Sequence, residues 1–363
     1  MLKRKAVTIK DVASHAGISF QTVSLVLNHP ERVNEKTRSR VTASMQELGF
    51  VPNLAARQLK KMPSNTVACV ILTSSGRPLE HGRVMLQDTW QHSVLTAFAY
   101  IADRHGFGML QQSASPEEVV ETIQRIYQEG RVDGIILPTP IDDEDVLLRL
   151  HEQGIPLVIF GNIASRLHYV TQDDRGAARN VVRQLLARGC RRLGFVRGVG
   201  ETLIYSAGRE RYLGYLEGLR EHGLAHQDRW TATGNMSLVS GHRAAHDLFG
   251  DFSPQHAGDF PDALIIANDR MAIGALRGLY ELGVRIPQDV SVVGFDNFEY
   301  DRYTIPTLSS VEGPTMEMAE FAFKTLLDLT ISKHTAPKLI QKVFGTELIF
   351  RDSVRAAPVQ WPE

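Results

Sequence analysis

At 363 residues and 43% apolar content the chain can bury a large core in two or three globular units, which excludes a disordered protein. Its formal net charge of −1 hides an asymmetry: through Met62 eleven Lys and Arg stand against four acids, a net +7, while the remainder carries −8. A basic module on an acidic body suits polyanion binding, because neutralised phosphates release counterions, although the same charges also serve as a solvated basic face. Cys69 and Cys190 each lie inside an apolar run, so no disulfide framework is indicated and a reducing cytoplasm fits. Lys3, Arg4 and Lys5 are not followed by an apolar stretch, and no later run approaches the eighteen or so apolar residues of a membrane span, so no membrane attachment is expected.

Three short helices are predicted at the start. Thr8 and Asp11 stand at capping-box spacing before Ile9 to Ala16. After a tight turn at Gly17-Ile18, Ser19 caps a second helix whose Val23, Val26 and Leu27 recur at helical spacing, leaving Gln21, Thr22 and Ser24 outward. Asn34 caps a third helix with Val41, Met45 and Leu48 inward. The first pair reads as a helix-turn-helix, in which the second helix presents its N-terminal side chains to base edges in the major groove.

The runs "TIKDVASHAGISFQTVSLVLN" and "VNEKTRSRVTASMQELGFVPNLAARQL" closely resemble the DNA-binding head of the lactose/galactose repressor (LacI/GalR) family of bacterial transcription regulators. The resemblance implies DNA contacts from Thr8, Lys10, Ser19, Phe20, Gln21, Thr22, Ser24, Leu25, Asn28, Lys36, Thr37 and Arg38. It also implies a hinge helix near residues 52–61 that contributes Asn53, Ala56 and Leu59, with Leu59 wedged into the minor groove to kink the duplex. Leu25 departs from the family, which often has a polar or basic base-reading residue there.

From Thr66 the pattern changes to alternating strands and helices. "TVACVILT", "VDGIILP", "IPLVIFG", "RRLGFVRG", "DALIIAND" and "VSVVGFDN" are buried-strand runs, separated by helices over 93–104, 117–127, 145–153, 176–188, 209–222, 240–249 and 271–282. Such alternation predicts doubly wound parallel sheets. Two such units resemble the family's two-lobed, periplasmic-binding-protein-like core, crossed three times by the chain. The crossings are expected near 170–174, 303–306 and 333–339, giving lobe 1 about 65–170 and 305–333 and lobe 2 about 171–303 and 340–363, after a head at 1–51 and a hinge and linker at 52–64.

Ligands of this fold sit between the lobes at the carboxyl ends of the strands. By resemblance Arg211, Asn268 and Asp296 are effector contacts, with Asp88 and Trp90 standing in for an element of the first long loop. Departures accompany them: Gly161-Asn162 replaces a common Asp, and Met236 replaces a common stacking aromatic. No Gly-x-Ser-x-Gly elbow, His-Glu-x-x-His, Cys-x-x-Cys or P-loop occurs, and the histidines look scattered, so no catalysis, cofactor or metal is expected. The resulting expectation is a cytoplasmic, homodimeric or larger, sequence-specific regulator, a repressor associated with the bacterial nucleoid when bound to near-palindromic double-stranded operator DNA. A sugar-like or related small-molecule effector controls it. The alternative is a periplasmic-type solute-binding protein of a transport system.

Overall fold

A computed structural model describes residues 7–50, 63–72, 89–138, 144–198, 206–331 and 338–357, which fall into two compact units, Met1–Ser64 and Asn65–Glu363. The expected hinge contacts Asn53, Ala56 and Leu59, together with Asp88, lie outside the described residues.

In the first unit, α1 (Ile9–Ala16) starts at the expected capping box: Thr8 N donates to Asp11 Oδ2 at 2.7 Å and Asp11 N donates to Thr8 Oγ1 at 3.4 Å. Gly17, at φ 59°, ends it in the left-handed conformation that a side chain resists. Helix α2 (Phe20–Asn28) starts under Ser19, whose hydroxyl accepts from Thr22 N at 3.1 Å, and α3 (Glu35–Leu48) under Asn34. Val12, Ala13, Val23, Val26 and Val41 form their common core, with Leu27, Met45 and Leu48 packed around it.

The second unit holds two sheets. Strands β1 (Thr66–Leu72), β2 (Gly108–Ala114), β3 (Gly134–Leu137), β4 (Leu157–Phe160) and β5 (Tyr169–Gln172) belong to the first, with helices α4 (Thr89–Arg104), α5 (Val119–Gln128) and α6 (Glu144–Glu152). Strands β6 (Leu193–Arg197), β7 (Thr231–Thr233), β8 (Ala263–Ile266), β9 (Ser291–Phe295) and β10 (Ser309–Glu312) belong to the second, with α7 (Asp174–Ala187), α8 (Ser206–Glu221), α9 (Leu238–Phe249) and α10 (Asp269–Glu281). Helix α11 (Thr315–Ile331) then packs Met318, Ala322, Phe323 and Leu326 against Phe98, Val158 and Phe160 of the first lobe. Strand β11 (Gln341–Phe344) closes the first sheet and β12 (Glu347–Ile349) the second.

The orders are β11-β5-β4-β3-β1-β2, all parallel, and β12-β10-β9-β8-β6-β7, in which only the β10–β12 pair is antiparallel. Strands β3, β4 and β8 are wholly buried because helices cover both faces, which is why they are unbroken apolar runs. Among the described residues no helix is long and apolar enough to cross a membrane.

Two crossings differ from expectation. The chain stays in the second lobe past Tyr303–Pro306, because β10 pairs with β9, and leaves it at Gly313-Pro314; it returns at Gly345-Thr346, after β11 has paired with β5. Residues 305–312 therefore belong to lobe 2 and 341–344 to lobe 1. The cause is the polar lettering of β10. Ser309 and Ser310 are fully buried yet satisfied, Ser309 Oγ by Arg351 O at 3.2 Å and Ser310 Oγ by Asp269 Oδ1 at 2.7 Å, so a core strand carries no apolar signature there. Strands β2 and β7 were likewise not anticipated, and β5 had been read only as the first crossing.

Helices α9 and α10 approach closely because Gly241, Gly274 and Gly278 face them. A Cβ on Gly274 would fall inside the Leu238 carbonyl oxygen, and one on Gly278 would stand 2.8 Å from the Ala245 Cβ. Gly274→Ala is therefore expected to destabilise the core by about 1–3 kcal/mol through overpacking against unyielding backbone. Urea unfolding of the full chain checks it; an unchanged midpoint would show that the helices part at no cost.

Candidate functional site

On the head unit, Thr8, Lys10, Ser19, Phe20, Gln21 and Lys36 are exposed, and Thr22, Ser24, Leu25, Thr37 and Arg38 are half-buried. The Asn28 side chain lies outside what is described. Val23 and Val26 anchor the opposite side of α2, so Phe20 and Gln21 stand free on its first turn. Thr22 is less available than expected, because its hydroxyl hydrogen-bonds Ser19 Oγ at 2.9 Å.

In the second unit, a cleft lies where the carboxyl ends of both sheets face each other. It holds about 720 Å³ of space not occupied by atoms, part of it open to solvent. Trp90, Asn162 and Thr315 line it from one lobe, Met236, Asn268 and Asp296 from the other, with Gln172, Asp174 and Arg211 beside them. Four expected residues, Trp90, Arg211, Asn268 and Asp296, thus meet around one cavity.

Arg211 sits in the second turn of α8, not the first, and is almost fully buried. Its Nε donates to Asp174 Oδ1 at 2.7 Å and its Nη1 to Ala267 O at 2.5 Å, while Nη2 lies 3.6 Å from Asp296 Oδ1. The Phe295 ring packs under the guanidinium, 4.5 Å from its centroid. Burial alone lowers an arginine pKa; here the carboxylates of Asp174 and Asp296 outweigh it, and the net shift is upward. The lining holds two carboxylates and one guanidinium, a formal charge of −1.

Asn268 is the N-cap of α10, two residues earlier than the helix was predicted to begin. Its Oδ1 accepts from Met271 N at 3.0 Å and its Nδ2 donates to Met236 O at 3.3 Å. Asp296 and Met236 both have positive φ, 115° and 65°, conformations that cost energy in non-glycine residues and persist where surrounding contacts enforce them. Trp90 lies nearly parallel to Phe160, at 6.2 Å and 24°, and covers Gly161, where an added Cβ would come within 2.6 Å of the indole. The sequence reading missed Gln172 and Asp174, which sit at the first crossing with Gln172 Nε2 donating to Asp174 Oδ1 at 2.9 Å, and it took Asn162 only as a lost Asp. The carboxylate that reading found missing is present at Asp174, and the signal was the DD pair at 173–174 after a strand-like YVTQ.

Beneath the cleft, Asp269 and Asp301 are both fully buried and face each other. Asp269 accepts from Ser310 Oγ with both oxygens. Burial first, and the negative charge of Asp301 second, push Asp269 well above the ordinary carboxylate range; burial also raises Asp301.

Comparison with known proteins decides the family. Residues 8–53 match the model "Bacterial regulatory proteins, lacI family" and residues 182–354 match "Periplasmic binding protein-like domain". The HTH-type transcriptional repressor PurR of Yersinia enterocolitica is 30% identical over 356 residues, covering 97% of this chain and 98% of that protein. The chain belongs to the lacI family of bacterial regulatory proteins. PurR of Serratia proteamaculans is 31% identical over the same span. Among solved structures, the lac repressor dimer bound to operator and the anti-inducer ONPF is similar at 26% identity, with a TM-score of 0.79 and coverage of 97% of this chain and 100% of that one. The CelR–cellobiose complex is similar at 27% identity and a TM-score of 0.67, covering 96% and 99%. This lacI-family chain is accordingly a DNA-binding transcription regulator with an effector-binding core, neither an enzyme nor a transport component.

The carboxyl pair gives a pH dependence with a definite sign. A carboxyl whose folded pKa lies above its unfolded value stabilises fully below the unfolded value, and that stability is lost as pH rises toward the folded value. Asp269→Asn keeps the shape of the protonated acid and removes the titration of Asp269, leaving that of Asp301. Relative to this variant, the parent is expected to lose stability as pH rises above the ordinary carboxylate range, by on the order of 1 kcal/mol per pH unit at most. Urea unfolding of both proteins across that rise in pH is the measurement, and parallel curves would refute a raised Asp269.

Proposed function

We propose that this regulator binds near-palindromic operator DNA as a homodimer, represses from it, and changes operator affinity when a neutral, hydroxyl-rich, sugar-like effector occupies the cleft. The proposal divides the chain into a head at 1–51, a hinge and linker at 52–64 and a core beyond, acting in the cytoplasm and at the nucleoid when bound to operator. The observation that carries the effector reading is the pairing of Arg211 with carboxylates. Its Nε and Nη1 donate to Asp174 and Ala267 O and its Nη2 lies near Asp296, so among the described lining residues the one cation is already paired with carboxylates. A hydroxyl both donates and accepts, and suits a wall of two carboxylates and the amides of Asn162, Gln172 and Asn268. Trp90 offers a flat apolar face for the carbon side of a sugar ring. The similar CelR, solved with cellobiose, supports the same class.

An effector shifts operator affinity only as far as it prefers one inter-lobe arrangement, commonly by about 1–3 kcal/mol. Because Asp173, Gly313 and Gly345 join the lobes at three adjacent crossings, a molecule held between Asn162 and Asp296 contacts both lobes and discriminates between their arrangements. Isothermal titration with neutral mono- and disaccharides against their phosphorylated and carboxylated counterparts tests the class. Neutral sugars are expected to bind at least tenfold more tightly, and Asp296→Asn to weaken that binding by about 1.5–3 kcal/mol through loss of a charge-assisted hydrogen bond. Preference for a phosphorylated sugar or an acid would overturn it.

On the DNA side, the proposed contacts are Thr8, Lys10, Ser19, Phe20, Gln21, Thr22, Ser24, Leu25, Lys36, Thr37 and Arg38, with Gln21 reading an adenine through its two-sided amide. If about 6–10 phosphates are engaged, operator affinity is expected to fall on the order of a thousandfold between about 50 and 200 mM salt. Gln21→Ala should remove about 1–3 kcal/mol of discrimination at one base pair while leaving the salt slope unchanged. Binding-site selection and salt titrations check both; a flat salt response would defeat the DNA-contact assignment.

A further inference from the structure

Three side chains outside the cleft converge on the outer side of the second lobe. His242 and His246 stand one turn apart on α9, so their rings share one face, and Glu281 is the last residue of α10. The glycines that bring the two helices together make the meeting possible: a Cβ added at Gly278 would stand 2.9 Å from the His242 carbonyl oxygen, too close for the helices to keep this approach, and 3.5 Å from the His246 ring. The rings are 4.7 Å apart. His242 Nε2 lies 2.7 Å from Glu281 Oε2, and His246 Nε2, buried and without a hydrogen-bond partner, lies 3.5 Å from the same oxygen. One ligand atom from each of the three residues therefore falls within 4.8 Å of the others.

We propose that His242, His246 and Glu281 form a binding site for a divalent transition cation of the zinc class, which clips α9 to α10. Imidazole nitrogen and carboxylate oxygen are the ligands of borderline cations such as Zn²⁺, whereas Mg²⁺ and Ca²⁺ prefer all-oxygen sets. Tetrahedral bonds of about 2.0–2.1 Å place ligand atoms ~3.3 Å apart. The His246–Glu281 separation already fits, and the His242–Glu281 hydrogen bond has to lengthen by about half an ångström on exchanging its proton for the metal.

Arg277 Nε donates to the other carboxylate oxygen, Oε1, at 2.6 Å, which fixes the carboxylate plane and leaves Oε2 turned toward both imidazoles. A metal here takes three protein ligands and leaves a coordination position for water. His242 and His246 stand at i, i+4 on α9, a ligand spacing that the scattered look of the histidines hides. The same two helices begin at the cleft, where Met236 precedes α9 and Asn268 caps α10, so a clip on them braces one wall of the effector site.

The test uses the full chain without an affinity tag, treated with a chelator and titrated with ZnCl₂ in a calorimeter, alongside Co²⁺ absorption spectra. One site per chain is expected, with a raised thermal midpoint and intense cobalt d–d bands from low coordination number. His242→Ala, His246→Ala and Glu281→Gln should each weaken zinc at least tenfold and abolish the bands, while His256→Ala, at an exposed histidine elsewhere, should change neither. All three ligand positions are partly exposed, and circular dichroism verifies that the variants fold; Glu281→Gln keeps the side chain's size if an alanine variant does not. Zinc affinity and stoichiometry unchanged in the variants, or no binding up to millimolar zinc, would overturn the proposal.

Discussion

The core is organised about a buried guanidinium. Withdrawing Arg211 from water costs several kcal/mol unless opposite charge and hydrogen bonds replace the lost hydration, and the fold supplies them from three elements at once. Asp174 comes from the first residue of α7, Ala267 O from the end of β8, and Asp296 from the end of β9. Each is held independently: α7 is capped by Asp173, Asn268 locks the residue after Ala267 as the cap of α10, and Asp296 N donates to Val311 O at 2.9 Å. The carboxyl ends of the strands are thereby tied to α8. The positive φ at Asp296 is a cost that the same bracing sustains.

This arrangement also sets the chemistry of the cleft. An arginine among neutral neighbours would make an anion site. One consumed by two aspartates and a carbonyl leaves acceptors in excess, so the residue that by resemblance looks like the primary ligand contact acts first as the scaffold that presents Asp174 and Asp296. Packing shapes the opposite wall in a similar way. Gly161, at φ 73° and without a side chain, is what lets the indole of Trp90 lie against the backbone beside Phe160. At Gly313 a Cβ would enter the Gln172 side chain, so the first and second crossings press together at the edge of the cavity.

Local signals were legible in the sequence to the residue. Thr8, Ser19 and Asn34 cap the helices they were expected to cap, because capping depends on a side chain and a backbone amide three positions away and on nothing more distant. The strands β1, β3, β4, β6, β8 and β9 were visible because full burial leaves no polar alternation. What escaped depends on long-range pairing. Ser309 and Ser310 form a buried strand only because Arg351 and Asp269 lie opposite them, and β11, with the pattern of an exposed edge, is assigned to a lobe only by its pairing with β5. Asp174 and Arg211 are 37 positions apart, and the Asp269–Asp301 and His246–Glu281 relations are similarly remote. Spacing within one helix showed His242 and His246 as neighbours, but the third ligand needed the glycine-lined contact between two helices.

The two-lobed core alone does not choose between a regulator and a transport component, since the same clefted fold and the same sugar-compatible polarity would serve either. The choice rests on the 44 described residues of the head. Their core is small, a cluster of five buried side chains from three helices, and so leaves little besides surface to select for. On that surface the first turn of α2 exposes Phe20, which costs hydration free energy in isolation and gains only if an apolar or stacked surface covers it. Lys10 and Lys36 are exposed on the same unit. An uncovered phenylalanine beside a glutamine, on a module of net +7, is unfavourable for a domain that meets only water, and it becomes favourable when a polyanion with apolar base edges lies against it. The head that matches the lacI family model, more than the fold of the core, marks the chain as a DNA-binding regulator.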